Sequence, residues 1–318
     1  MKMNAVEKLI PELPHAGSMF HGVLLHLILI GIPSCFGFLP TGLWKDSLGL
    51  TAPCSMFDLA DGSQRNCSLL DSFAIREVGY RFVTHYEMAI VACFIIRFVG
   101  KDMNREEEFR KMHLTLAMSS IIVLLTIAFI QTKPESVTSA QLEPHLFARI
   151  VLYRLIAILT SVRIIMTGPD LLYTPKATWS APGCALLIGA VINALIIGSS
   201  LFGLTEKGIN NYFVEDANEN LSPVVHSCFR FALVHSAVTA IQLLSYRTFM
   251  ARDQLQALCG YKTLYHILVP FFWHPEHSGF LKVDAVEVAL FRFLLIMSYG
   301  YGYFSKGEYE GEVIEKDF

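Results

Sequence analysis

The sequence predicts an all-α protein, a polytopic membrane bundle of about seven transmembrane helices with the N-terminus in the cytoplasm and one short interfacial or re-entrant segment. Three observations carry that expectation. The 318-residue chain is 53% hydrophobic and only 17% charged, where soluble domains run at roughly 25% charged. Its mean hydropathy is +0.46. Its apolar residues fall into segments near 18–40, 78–99, 113–131, 146–166, 183–204, 224–246 and 285–304, each close to the ~20 residues that cross a hydrocarbon core. These segments form a single domain over 18–304, preceded by a polar stretch at 1–17 and followed by an acidic tail at 305–318.

The stretch 1–17 carries acids and two prolines before the first apolar run. It has the pattern of neither a cleaved signal peptide nor an Arg-rich transit peptide, so the first apolar segment is expected to stay as a helix. Within that segment Pro33, flanked by Gly31 and Gly37, is expected to kink it. The run 261–273 contains Pro270 and is too short to span; it is expected to lie on the membrane surface.

Orientation follows the Lys and Arg of the short loops. Lys101, Arg105, Arg110, Lys111, Lys176, Arg247, Arg252, Lys262 and Lys282 fall on one side, expected to be cytoplasmic, and Lys133 and Lys207 on the other. The acidic tail then lies outside. The first outer loop holds Cys54, Cys67 and the sequon Asn66-Cys67-Ser68, so a disulfide between Cys54 and Cys67 and a glycan on Asn66 are both expected on the oxidising side, although Cys67 sits inside the tripeptide. The sequon at Asn220 is followed by Pro223 and is discounted. Cys93, Cys184 and Cys228 read as small core residues, and Cys259 as facing the cytoplasm. Small residues four apart, Ala190, Ala194 and Gly198, mark a face for close helix contact, with Asn193 beside it.

The informative residues are the ionisable ones at membrane depth. Glu87, Arg154, His235 and Arg292 fall near the middle of their segments. An arginine there costs about 2.5–3.5 kcal/mol on insertion scales, so it faces a partner or a wet cavity. One acid for two arginines leaves a positive surplus if Glu87 pairs with Arg154 or Arg292. Nearer the outer surface, Arg81 and His85, His145 and Arg149, and His226 and Arg230 are each spaced i, i+4 and so share a helix face. The fourth and sixth segments repeat one spacing, His-x3-Arg-x4-(Arg or His), through His145, Arg149, Arg154 and His226, Arg230, His235. Arginines near segment ends also reach the interface by snorkelling, which needs no function.

These residues point to a transporter or carrier for an anionic small molecule or lipid headgroup, with Glu87, Arg154, Arg230, His235, Arg292, Arg149, His226 and His85 as candidate ligand-binding residues. The alternatives are a structural or accessory subunit of a membrane complex, or a membrane enzyme acting on lipid. The enzyme reading lacks support: GxSxG, HExxH and Walker A motifs are missing, and no cofactor is implied. His274 and His277 flank Pro275-Glu276; with no third ligand nearby they read as an ordinary polar loop rather than a metal site. The near-neutral charge of -3, without a basic patch, excludes nucleic acid as a partner class. The expected partners are the bilayer, an anionic ligand or lipid, and a membrane protein or second copy. The expected location is the plasma membrane or a secretory-pathway endomembrane.

Overall fold

The computed structural model describes residue 24 and residues 87–99, 105–132, 144–166, 179–201, 221–272 and 285–305. Among them every regular element is a helix. In chain order these are α1 (87–98), α2 (Arg105–Gln131), α3 (Pro144–Met166), α4 (Ala181–Leu201), α5 (Pro223–Phe249), α6 (Arg252–Phe272) and α7 (Ala285–Phe304). Cys54, Asn66, Cys67, His85, His274 and His277 lie outside the described residues, so the disulfide, glycan and loop expectations do as well.

Local chemistry sets the helix starts. Three acids, Glu106, Glu107 and Glu108, occupy the first turn of α2, where the positive end of the helix dipole favours them. Helix α5 begins with Ser222, whose side chain accepts from the Val225 amide at 3.3 Å, followed by Pro223 in the first turn. Only Met250 and Ala251 separate α5 from α6, and the Ala251 amide donates to Gln254 Oε1 at 2.8 Å, which closes the new helix start.

That two-residue link bears on the segment at 261–273, expected as a short separate piece. The structure has instead a 21-residue helix, α6, running back along the bundle. Its first nine residues are too polar to register as apolar sequence, yet Leu255, Leu258 and Cys259 are fully buried. Pro270 falls in the last turn, where its missing amide removes one bond instead of ending the helix. The charged stretch that reads as a loop from Lys101 is likewise helical from Arg105 onward.

Packing contacts join α3 to α2, α2 to α5, α5 to α4, α4 to α7, α7 to α6 and α6 to α4. On α1, Met88, Ala89, Ala92, Cys93 and Ile96 are all at 0% exposure and join a core with Met112, Tyr246 and Leu258. Side chains near one end of the bundle reach helix-terminal carbonyls. Gln254 Nε2 donates to Val99 O at 3.3 Å and to Glu108 Oε2 at 3.0 Å. Arg110 donates to Ile165 O, Arg247 Nε to Gly183 O at 3.0 Å, and Gln256 Nε2 to Tyr303 O. These bonds put the end of α1, the start of α2, the end of α3, the start of α4, the α5–α6 link and the end of α7 together, so successive helices alternate in direction. Ser305, the last described residue, therefore lies at the same end as Val99 and the start of α2, not at the opposite end as expected, because α6 runs back along the bundle.

The tight interface of α4 also differs from expectation. Of the expected stripe Ala190 is buried in the core, Ala194 is exposed and the burial of Gly198 lies outside what is described, while Asn193 bonds back to Gly189 O of its own helix at 2.8 Å. The close contacts use Pro182, Ala185 and Gly189 instead: a Cβ on Gly302 would stand 2.9 Å from Ala185 Cβ and 3.1 Å from Pro182 Cα. Cys259, expected to face the cytoplasm, is buried here, its thiol donating to Pro182 O at 3.6 Å.

Polarity is distributed from the inside out. Arg154, Arg230, His226, His235, Gln242 and Lys262 are buried, while Phe98, Leu125, Leu159, Leu195, Leu290 and Met297 are more than half exposed. Among the described residues one helical stretch, Glu106–Phe129, is long and apolar enough to cross a membrane, and Ala181–Leu195 is a shorter apolar helix.

Candidate functional site: a buried polar belt

The shared helix ends give a common origin for depth. At ~1.5 Å per residue, Glu87 lies about 18 Å from the Val99 end of α1, Ser120 and Arg154 about 15–17 Å from the bonded ends of α2 and α3, and His235 about 18 Å from Arg247. His266 and Arg292 fall about 16–18 Å along α6 and α7, and Lys262 about 12 Å. Glu87, Ser120, Arg154, His235, His266 and Arg292 thus fall near one level, divided between two sides, while Arg230 and His226 lie farther from the common end and His113 nearer to it.

One side lies where α2 meets α3 and α5. Arg154 is 2% exposed and its Nη1 donates to Ser120 Oγ at 3.4 Å. One to two turns toward the common end, His113 Nδ1 and Ser161 Oγ share a hydrogen bond at 3.2 Å. On α5, His235 is buried at the level of Arg154, and Arg230 and His226 are buried about 7 and 13 Å farther from the common end. Their common helix faces both α2 and α4, which brings Arg230 and Arg154 onto the two helices flanking α2. Hydroxyls from Ser119, Thr126 and Thr239 bond back to the preceding turns of their own helices and so remove donors from competition for this interior.

The other side joins α1, α6 and α7. Lys262, 2% exposed, points its Nζ at Glu87 Oε1 across 3.7 Å. The Tyr261 hydroxyl hydrogen-bonds the same carboxylate. The ammonium also sits over the Tyr265 ring at 4.7 Å and the Tyr261 ring at 5.9 Å, a placement that aromatic faces reward. One turn on, the His266 ring stacks parallel to Tyr299 at 5.7 Å, and Arg292 is close enough to act on it electrostatically.

The carboxylate partner of the belt therefore corrects the sequence reading. Glu87 is paired with Lys262, which the sequence placed in a surface loop, and not with Arg154 or Arg292. Lys262, Tyr261 and His266 were missed because the helix that carries them was missed. A signal was present: Gln254, Leu258, Lys262 and His266 recur every four residues, the period of one helix face. Arg149 and His145 lie on α3, with their side chains outside the described set. Among the described residues no group of His, Cys, Asp and Glu is arranged to hold a metal ion.

No family model matches the chain, and neither the curated proteins nor the solved structures contain a match to it.

Proposed function

We propose that the chain is a multi-pass membrane protein that binds and carries an anionic group, the phosphate or carboxylate of a small solute or of a lipid headgroup, between α2, α3 and α5. The observation that carries this reading is the inversion of polarity: two arginines nearly or fully enclosed, in a bundle whose outer faces expose Leu, Ile and Phe. Water would not tolerate that outer surface over so many helices, and lipid would. Inside, a guanidinium offers fixed donors that match carboxylate or phosphate oxygens in pairs.

In this reading α6 also spans, and the N-terminal apolar segment precedes α1, so eight traverses leave both termini on one side. The shared end carries Arg97, Arg105, Arg110, Lys111, Arg163, Arg247 and Arg252, an excess that marks the cytoplasmic face. Trp179 at 80% exposure, Tyr301 at 71% and Phe304 at 75% gather at the same end, where aromatic side chains settle at headgroup level. The membrane is the plasma membrane or one of the secretory pathway.

Native mass spectrometry of the gently solubilised protein beside an Arg154→Ala, Arg230→Ala variant tests the binding reading. An anionic adduct on the parent, absent from a folded variant, is the expected result and identifies the chemical class. Adducts unchanged by the substitutions would sink it. The Arg154–Ser120 and His113–Ser161 hydrogen bonds favour a second reading, a structural subunit whose buried polar groups hold helices together; loss of a partner chain in the variant would support that one.

A further inference from the structure

The Glu87 carboxylate is only partly satisfied. Its Oε1 atom is buried and accepts no hydrogen bond, and the nearest cation, Lys262 Nζ, stands off at 3.7 Å, beyond hydrogen-bond reach. A buried carboxylate oxygen left in this state carries a desolvation cost that the ion pair offsets only in part. A proton on that oxygen would convert an acceptor without a donor into a neutral group beside the Tyr261 and Tyr265 rings that pack on Lys262. Among the described residues Tyr261 and Tyr265 stand against the pair, and one turn on along α6 lies His266, with Tyr299 stacked on it and Arg292 acting on it from α7.

We propose that Glu87 and Lys262 form a proton-binding site at the middle of the bundle. It is loaded when Glu87 Oε1 takes a proton from water and emptied when the carboxylate returns to its pairing with Lys262. The bookkeeping is simple. The empty site, carboxylate and ammonium, has no net charge; the loaded site, carboxylic acid and ammonium, has one positive charge; the only species exchanged is H⁺. The Lys262 amine, 3.7 Å from Oε1, sets how readily Glu87 accepts a proton. His266, one helical turn beyond Lys262 on the same face of α6, is the next group able to pass a proton along the helix. The site is separate from the Arg154 and Arg230 side, but its role rests on the carrier reading: a bundle that gains one positive charge on loading favours entry of one negative charge, which makes this a proton-coupled anion carrier.

The test uses the purified full chain in liposomes without any added solute, so that its outcome does not depend on anion binding. Difference infrared spectra are recorded from about pH 4 to pH 9, the range over which exposed and buried carboxyls titrate. A protonated-carboxyl band that grows on acidification, vanishes in Glu87→Gln and persists to higher pH in Lys262→Met is the expected result. A folded parent whose spectrum changes identically to that of Glu87→Gln overturns the proposal. If Glu87→Gln fails to fold, Tyr261→Phe, which keeps the carboxylate and deletes one hydrogen bond to it, must shift the same band; an unshifted band overturns the proposal equally. Loss of anionic adducts without loss of this band, or the reverse, tells the two readings apart.

Discussion

The hydroxyl of Tyr299 occupies the space that a side chain on Gly189 would need: a Cβ there would lie 1.9 Å from Tyr299 Oη and 2.7 Å from its ring carbon. Tyr299 is 1% exposed and stacked on His266, so it has no room to withdraw. Gly189→Ala is therefore expected to cost about 1–3 kcal/mol by overpacking. Tyr299→Phe in the same chain recovers part of it by removing the hydroxyl. Unfolding midpoints of the single and double variants in detergent check this; equal stability of Gly189→Ala and the parent would refute the close packing of α4 on α7.

Two glycines one residue apart on α7 lead to opposite expectations. A Cβ on Gly302 meets Ala185 Cβ at 2.9 Å and Cys259 Sγ at 3.0 Å, whereas one on Gly300 meets only a Thr263 methyl at 3.9 Å. Gly302→Ala should lower the unfolding midpoint and Gly300→Ala should leave it unchanged or raise it slightly, since alanine is the better helix former by up to ~1 kcal/mol. The same midpoint in both variants would contradict the contact of α7 with α4 and α6.

Lys262 and Glu87 invite a double-mutant cycle. Lys262→Met leaves a half-buried carboxylate without its cation and is expected to destabilise, by less than the about 3–5 kcal/mol of a fully buried pair because the Glu87 side chain keeps part of its contact with solvent. Adding Glu87→Gln should restore most of that loss, because the remaining groups are neutral. Additive losses in the double variant would mean that the two side chains do not interact in solution.

The direction of α6 is open to a labelling experiment. Cysteines introduced singly at Ala251 or Ser305, in a background with the seven native cysteines replaced by serine, are expected to react with an impermeant maleimide from the same side of sealed vesicles. Reaction from opposite sides would restore the seven-span topology and remove α6 from the count of traverses.

Much of the helical architecture is legible in the sequence, and the failures share a cause. The segment 285–304 coincides with α7, and 146–166 and 183–204 lie within two or three residues of α3 and α4, because continuous apolar runs of ~20 residues leave few alternatives. The start of α2 and nearly half of α6 were not legible, because both are polar helix. Glu108, Arg110 and Lys111 look like loop residues but are each 2% exposed, with partners on the same or other helices. Hydropathy reports what a residue would cost alone, and these residues are not alone. In the belt, Glu87, Arg154, His235 and Arg292 were found because a charge inside an apolar run stands out. Lys262 was not found, because its neighbours Tyr261, Thr263 and Tyr265 are polar enough to hide it.

Order of synthesis gives the central position of α1 a further meaning. Its neighbours come late: Gln254, which bonds the Val99 carbonyl, follows it by 155 residues, and Lys262 later still. A chain made from its N-terminus must hold Glu87 without its cation, and α1 without its packing on Leu255 and Leu258, until the last hairpin arrives. The earliest described helix is thus the last to be completed, and a product cut short before α6 presents quality control with an uncompensated carboxylate.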